Sequence, residues 1–264
     1  MKRKLEGKVI WVTGASSGIG KAIVYKLALN KDIRLILSAR NQKALQEVKE
    51  GLPLPIDQIM TLQLDLENSQ SFQQKAEEVI KKFGKIDLLI HAGGVGQRAS
   101  FTKISSDTFR KIMEINFFGT VMLTKVVLPF LLQEKGGDII VISSVQGKFG
   151  IPERTAYAAS KHALHGFFDS LRAEHHKDGI DIMLVCPGYV DSAFSSNALL
   201  GQGNPIHIKE KRKAISPEEC ADLTVKGYLK GKNEIYPGRL QQRVAVWLKR
   251  FFPNLLDKIV RTKV

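Results

Sequence analysis

Near the N-terminus a strand, a glycine turn and a helix follow one another without a break, and this junction constrains the fold more than any other stretch. Lys8-Val-Ile-Trp-Val-Thr13 is a short apolar, β-rich run that reads as a buried strand. It passes straight into Gly14-Ala-Ser-Ser-Gly18-Ile-Gly20, after which Lys21–Asn30 has helical periodicity. That order gathers backbone N–H groups and the positive end of a helix at one point, a geometry that holds a phosphate or pyrophosphate. Gly14 permits the tight turn, while Gly18 and Gly20 let a ligand and the helix approach closely. The spacing is Gly-x-x-x-Gly-x-Gly rather than the commoner dinucleotide fingerprint. Its place between a first strand and a first helix makes it more than a bend.

Further apolar strands are expected at Ile33–Ser38, Gln58–Leu64, Ile86–Ile90 and Asp138–Ile142, with a last short one at Glu234–Pro237. Between them, Asn68–Phe83 and Ser105–Gln133 read as helices. Alternating strands and helices imply a parallel sheet with right-handed crossovers: an α/β chain, one Rossmann-type doubly wound sheet with helices on both faces. The 264 residues contain no internal repeat or linker, so residues 1–238 are expected to form one domain. Ligands of such sheets bind beyond the carboxyl ends of the strands, near the switch in strand order.

Several residues lie at those carboxyl ends. The second strand closes with Ala39-Arg40-Asn41 and no acid. A carboxylate there would accept from a ribose 2′-hydroxyl, whereas the Arg40 guanidinium suits a 2′-phosphate, which favours NADP over NAD. Asp65 ends the third strand, and His91-Ala-Gly-Gly-Val-Gly96 makes a second glycine-rich turn after the fourth. Asn116 and Gly119 are poor residues for the middle of a helix, which suggests a kink or a site. Ser144 follows the Asp138–Ile142 strand, placed to reach a bound carbonyl oxygen. Tyr157 and Lys161 lie four residues apart, on one face if helical. An ammonium beside a phenol favours the phenolate, so the tyrosine's pKa is expected to fall, as suits a general acid/base.

In order and spacing, the glycine turn, Asp65, Asn116, Ser144 and Tyr157-x-x-x-Lys161 resemble the short-chain dehydrogenase/reductase family, from about Lys8 to Ser192. Ser143-Ser-Val-Gln-Gly147 and Ala159-Ser-Lys-His-Ala-Leu-His-Gly-Phe-Phe168 resemble the branch of 11β-hydroxysteroid dehydrogenase and dehydrogenase/reductase member 7. His91 stands where the family has asparagine, and Ser192 where it usually has threonine. The resemblance implies Tyr157 as the acid/base and Lys161 as the group that tunes it and holds the ribose. It implies Ser144 on the substrate oxygen and Asn116 anchoring a water that links Lys161 to solvent. It puts the cofactor against Gly14, Ser16, Ser17, Gly18, Ile19 and Gly20, then Arg40, Asn41, Asp65 and Leu66. Ala92, Gly93, Asn116, Tyr157, Lys161, Pro187, Gly188, Val190 and Ser192 complete that set. The expected activity is NADP(H)-dependent interconversion of a carbonyl and a secondary alcohol on a small to medium apolar substrate. The alternative is a non-catalytic NADPH-binding regulator or a membrane-associated scaffold. By the same resemblance, helices near 105–133 and 155–177 would build a homodimer or homotetramer, with a lid over the substrate at about 192–215.

The net charge of +14 comes without a nucleic-acid motif, so no nucleic acid is expected as partner. Lys209–Lys213 and the segment after Arg239 are its densest parts. Cys186 and Cys220 have no metal-ligand spacing and read as buried free thiols, which suits a reducing compartment. A strand begins almost at once, and no apolar run approaches the ~20 residues of a membrane span, so a cytoplasmic location is expected. His162, His165, His175 and His176 crowd one helix without an evident acidic partner, so a solvated face is expected and no metal. Residues 239–264 form a basic amphipathic extension: Leu240, Val244, Trp247, Leu248, Phe251 and Phe252, then Leu255, Leu256, Ile259 and Val260 after Pro253. Such a segment suits peripheral contact with a membrane or packing on the body.

Overall fold

The computed structural model describes residues 3–205 and 214–261. Seven parallel strands form one sheet in the order β3-β2-β1-β4-β5-β6-β7. They are β1 (Lys8–Thr13), β2 (Ile33–Ala39), β3 (Ile59–Gln63), β4 (Leu88–His91), β5 (Gly137–Ile142), β6 (Ile180–Val185) and β7 (Glu234–Ile235). The chain runs outward from β1 to β3, then returns to add β4 on the other side of β1. The switch point therefore lies between β1 and β4.

Strand periodicity divides the core in two, because successive side chains point to opposite faces. Ile10 and Val12 of β1 face a layer made by α1 (Gly18–Leu27), α2 (Gln42–Glu50) and α8 (Pro217–Leu229). Val9 and Trp11 face the other layer. That layer holds α3 (Phe72–Phe83), α5 (Gly119–Gln133) and α6 (Thr155–Glu174), and α4 (Ser106–Met113) packs on α6 through Ile112 and Ala156. Both faces of every central strand are covered, which is why these strands read as apolar runs. At the amino ends, Arg3, Lys8 and the Tyr228 hydroxyl converge on buried Asp138.

Three readings change. The expected 105–133 helix is two helices joined by a π-helical turn at Glu114–Phe118, centred on Asn116. Gly119 closes that turn against the loop after β3, where a Cβ would lie 2.2 Å from the Leu66 carbonyl. Ser106–Gln133 is also long and apolar enough, by length and composition, to cross a membrane. Half of its apolar window is buried, with Leu123, Val127 and Leu131 in the core beneath the sheet. β6 and α2 have no counterpart among the elements expected from the sequence.

Ser192 caps α7 (Ala193–Ser196), and the rest of the expected lid runs to residue 205 without regular structure. The Lys209–Lys213 run lies outside the described residues. Ser216 caps α8 by accepting from the Glu219 N–H, with Pro217 at the first helical position. The extension forms α9 (Leu240–Phe251) and α10 (Pro253–Arg261), broken at Pro253. Its inner face, including Val246, Leu248 and buried Leu256, packs on Val145 and Phe149. Its outer face leaves Trp247, Phe251, Phe252, Leu255 and Ile259 exposed.

Candidate active site

The glycine turn sits at the switch point. Gly14 has φ +66°, and a Cβ on it would lie 2.7 Å from the Ala92 carbonyl oxygen and the Gly93 nitrogen. Any side chain there would therefore separate the first glycine turn from the second. A Cβ on Gly20 would lie 2.3 Å from the Gly14 carbonyl oxygen, so α1 touches the turn backbone to backbone. Ser17 holds the N-cap position of α1 in extended conformation without a side-chain capping bond, and the first turn carries no acid. The unpaired N–H groups of a helix start, the helix dipole and an approach at Gly18 that only Ser192 faces among the described residues fit a pyrophosphate.

The second turn is held from below. The Thr13 hydroxyl accepts from the Ala92 and Gly93 N–H groups at 3.2 and 3.3 Å. His91, buried at the end of β4, lies 2.8 Å through Nε2 from the Thr124 hydroxyl. That hydroxyl already donates to the Thr120 carbonyl at 2.9 Å, so His91 Nε2 carries the proton and Nδ1 is bare. Burial, and then the charge of Lys161, pull the His91 pKa down to about 3, which keeps the ring neutral. The substitution of histidine for asparagine thus leaves the turn supported, with Thr13 doing the anchoring.

The catalytic candidates converge. Asn116 accepts from the Val95 N–H at 2.8 Å and donates to the Val95 carbonyl at 2.9 Å and to Ser160 at 3.1 Å. Ser160 in turn donates to the Tyr157 carbonyl at 2.8 Å. The π-turn thereby aims one amide at both the second glycine turn and α6. Ser144 lies near enough to the Tyr157 phenol to favour its ionised form. Lys161 lies with its ammonium 5.8 Å from the centre of the Tyr157 ring and donates to the Ile142 carbonyl at 3.0 Å. Asn116 is its near neighbour: a Cβ on Gly94 would lie 3.0 Å from Asn116 Oδ1 and 3.8 Å from Lys161 Nζ.

The electrostatics correct one expectation. Tyr157 is buried, and its pKa is raised by that burial, against which the Ser144 hydroxyl and the Arg154 charge only partly act. Desolvation outweighs any nearby ammonium here. Lys161 is itself pulled down to about 8 by burial. At neutral pH the site therefore holds a protonated phenol beside a lysine that is still charged.

The other candidates fall along the same crevice. Arg40 is exposed at the tip of β2 with no acid beside it in sequence, and Asn41 caps α2 by accepting from the Ala44 N–H. Asp65 and Leu66 follow β3, and Asp65 accepts from the Glu67 N–H. The Pro187 carbonyl accepts from Val145, tying the Pro187-Gly188 turn to the Ser144 loop. Val190 bridges to Ile215, and Ser192 faces Gly18. Sequence reasoning missed Thr13 and Ser160, whose types carry no signal without the fold. It also misplaced His165, which is buried. Its Nε2 lies 3.2 Å from Ser143 and 3.6 Å from the Cys186 sulfur, and its Nδ1 lies 3.6 Å from Glu234. An acidic partner is thus present, and ligand atoms of His165, Cys186 and Glu234 lie within 4.8 Å of one another. Lys148 already pairs with Glu234 at 2.8 Å, and burial holds the Cys186 thiol protonated. His175 also has an acid, Asp178, at 2.8 Å. His162 and His176 are exposed as expected.

Residues 8–202 match the family model described as short chain dehydrogenase. The chain belongs to the short-chain dehydrogenase/reductase family, oxidoreductases that bind a nicotinamide cofactor. Over 99% of its length it is 37% identical to a dehydrogenase/reductase SDR family protein 7-like of Anopheles gambiae, covering 84% of that relative. Over 75% of its length it is 41% identical to human dehydrogenase/reductase SDR family member 7, of which it covers 60%. These relatives place it in the member 7 branch. Among solved structures, an alcohol dehydrogenase from the archaeon Thermococcus sibiricus, complexed with 5-hydroxy-NADP, is 26% identical. Its TM-score is 0.75 over 88% of this chain and 97% of that one.

Proposed function

We propose that the protein is an NADP(H)-dependent carbonyl reductase, acting on a small to medium apolar substrate, with Tyr157 as its general acid. The observation that carries this reading is Tyr157, buried and kept protonated by that burial, with Ser144 acting on its phenol and the Lys161 ammonium 5.8 Å from its ring centre. A protonated phenol is the form needed to give a proton to a carbonyl oxygen. Ser144 hydrogen-bonds the same oxygen and fixes where it sits. Lys161 supplies positive charge as the phenol becomes phenolate and would hold the ribose hydroxyls of the cofactor, while Asn116 would hold a water that links Lys161 to solvent. The bound nicotinamide cofactor supplies the hydride. Run in reverse, Tyr157 takes the proton from an alcohol.

Arg40, exposed and with no acid next to it in sequence, supports NADP(H) over NAD(H). Gly14, Ser16, Ser17, Gly18, Ile19 and Gly20 would hold the pyrophosphate, and Pro187, Gly188, Val190 and Ser192 the nicotinamide end. Phe194 presents an apolar wall, its ring centre 5.9 Å from that of Tyr157. The outer face of α9 and α10, with Arg243, Lys249, Arg250, Lys258 and Arg261 among exposed aromatics, suits peripheral contact with an anionic membrane from the cytoplasmic side. Helices α4–α5 and α6 are the proposed contact between two or four subunits. No observation favours a non-catalytic role, since His91 has a settled place in the turn.

Fluorescence titration with NADPH and NADH, followed by a carbonyl panel, tests the reading. Tighter binding of NADPH, weakened by Arg40→Glu, is expected. Equal or preferred binding of NADH overturns the role of Arg40.

A further inference from the structure

We infer that Gln97 is a positioning residue that sets the place of Tyr157 in the active site. α6 starts without a side-chain cap of its own, because Arg154 holds the N-cap position and makes no capping bond. The first intrahelical bond is Ala158 N–H to the Arg154 carbonyl at 2.7 Å. The N–H of Tyr157 is therefore the last of the orphan donors at the helix start. It is met from a distant loop: Gln97 Oε1 accepts from it at 3.1 Å.

Gln97 is fully buried, and its amide group is otherwise occupied. Nε2 donates to the Ala99 carbonyl at 3.0 Å and lies 3.3 Å from the Thr155 hydroxyl. One acceptor and two donors, all used, is what a glutamine offers and what neither glutamate nor methionine matches. The same residue ties two other walls of the crevice together. It follows the second glycine turn directly, and it pairs in a β-bridge with Leu199, whose N–H donates to Gly96. Leu199 then packs against Ala156, next to Tyr157. Gln97 thus fixes the catalytic tyrosine relative to the turn that carries Ala92 and Gly93 and to the segment that follows α7. It touches no reacting atom, and its action passes through the backbone of Tyr157.

The catalytic part of this inference rests on the function proposed above, and the test separates the two. Gln97→Met keeps the length of the side chain and removes every hydrogen bond. With NADPH and phenanthrenequinone, kcat is expected to fall roughly 10- to 100-fold, as for a misplacement of about 1 Å. Cofactor Kd should stay within about threefold, since the pyrophosphate site is untouched. Gln97→Glu supplies the rescue. Burial raises its carboxyl pKa, and the protonated form accepts from Tyr157 and donates to Ala99. Its kcat should recover at acid pH and fall as the carboxyl ionises, a limb that the unsubstituted enzyme lacks. A second readout needs no turnover: amide exchange at Tyr157 should accelerate in Gln97→Met. Unchanged kcat, or cofactor affinity lost in parallel with kcat, overturns the positioning role. If the unsubstituted protein does not reduce the quinone, the proposed reaction fails instead. Faster exchange at Tyr157 then still upholds the contact, and unchanged exchange overturns it.

Discussion

Replacing Lys161 with methionine should make the protein more stable while removing its activity. The ammonium is buried, and its pKa falls from 10.5 to about 8 chiefly because burial penalises the charge. At about 1.4 kcal/mol per pH unit between those values, keeping it charged in the fold costs ~3 kcal/mol at neutral pH. Methionine has a similar reach and no such penalty. The substitution also removes the 3.0 Å bond to the Ile142 carbonyl. Losing that bond takes back about 1 kcal/mol. The net gain is then ~2 kcal/mol, or about 5 °C in Tm for a chain of this size. The folded pKa lies below the unfolded one, so between pH 8 and 10.5 the unfolded chain binds more protons and the stability of the unsubstituted protein rises with pH. The advantage of Lys161→Met should therefore be full below pH 8 and shrink toward pH 10.5. Urea unfolding of both proteins across that range measures it. A variant less stable at neutral pH, or a difference that does not change with pH, refutes the reasoning that Lys161 is a strained functional charge.

Two other outcomes follow from the geometry. Gly14→Ala should abolish detectable cofactor binding in the same titration, because its Cβ would lie 2.7 Å from backbone atoms of Ala92 and Gly93 in a left-handed position. Retained affinity would mean that the two turns are free to separate. Trp247→Ser with Phe251→Ser should cut sedimentation with anionic liposomes several-fold while leaving Tm nearly unchanged, since both side chains are exposed. Equal sedimentation removes the membrane contact.

The order of strands and helices was legible because each buried strand here is a run of apolar residues and each glycine turn stands at its end. β6 is the exception: Ile180-Asp-Ile-Met-Leu-Val185 is short and carries Asp181, and a short apolar run is not told from a buried helix segment by periodicity alone. Tyr157, Lys161, Ser144 and Asn116 were legible as types at fixed spacing, and the fold brings them together. The state of Tyr157 was not, because the pattern Tyr-x-x-x-Lys records the neighbouring charge and says nothing of burial, which here dominates. The same holds for His165: a histidine on an apparently polar helix face gives no sign that Ser143, Cys186 and Glu234 close over it. The kink at Asn116 was readable from poor helix formers, but its π form and its grip on Val95 depend on the second turn arriving at the right place.

The most direct test of Tyr157 as the acid is turnover and NADPH affinity measured side by side in Tyr157→Phe. The ring stays, the hydroxyl goes, and with it the proton that Ser144 and Lys161 flank. The account predicts that turnover falls at least about a hundredfold, as for loss of a positioned proton donor, while the NADPH dissociation constant stays within a few-fold. Turnover near that of the unsubstituted protein would contradict it, because the proton would then come from elsewhere.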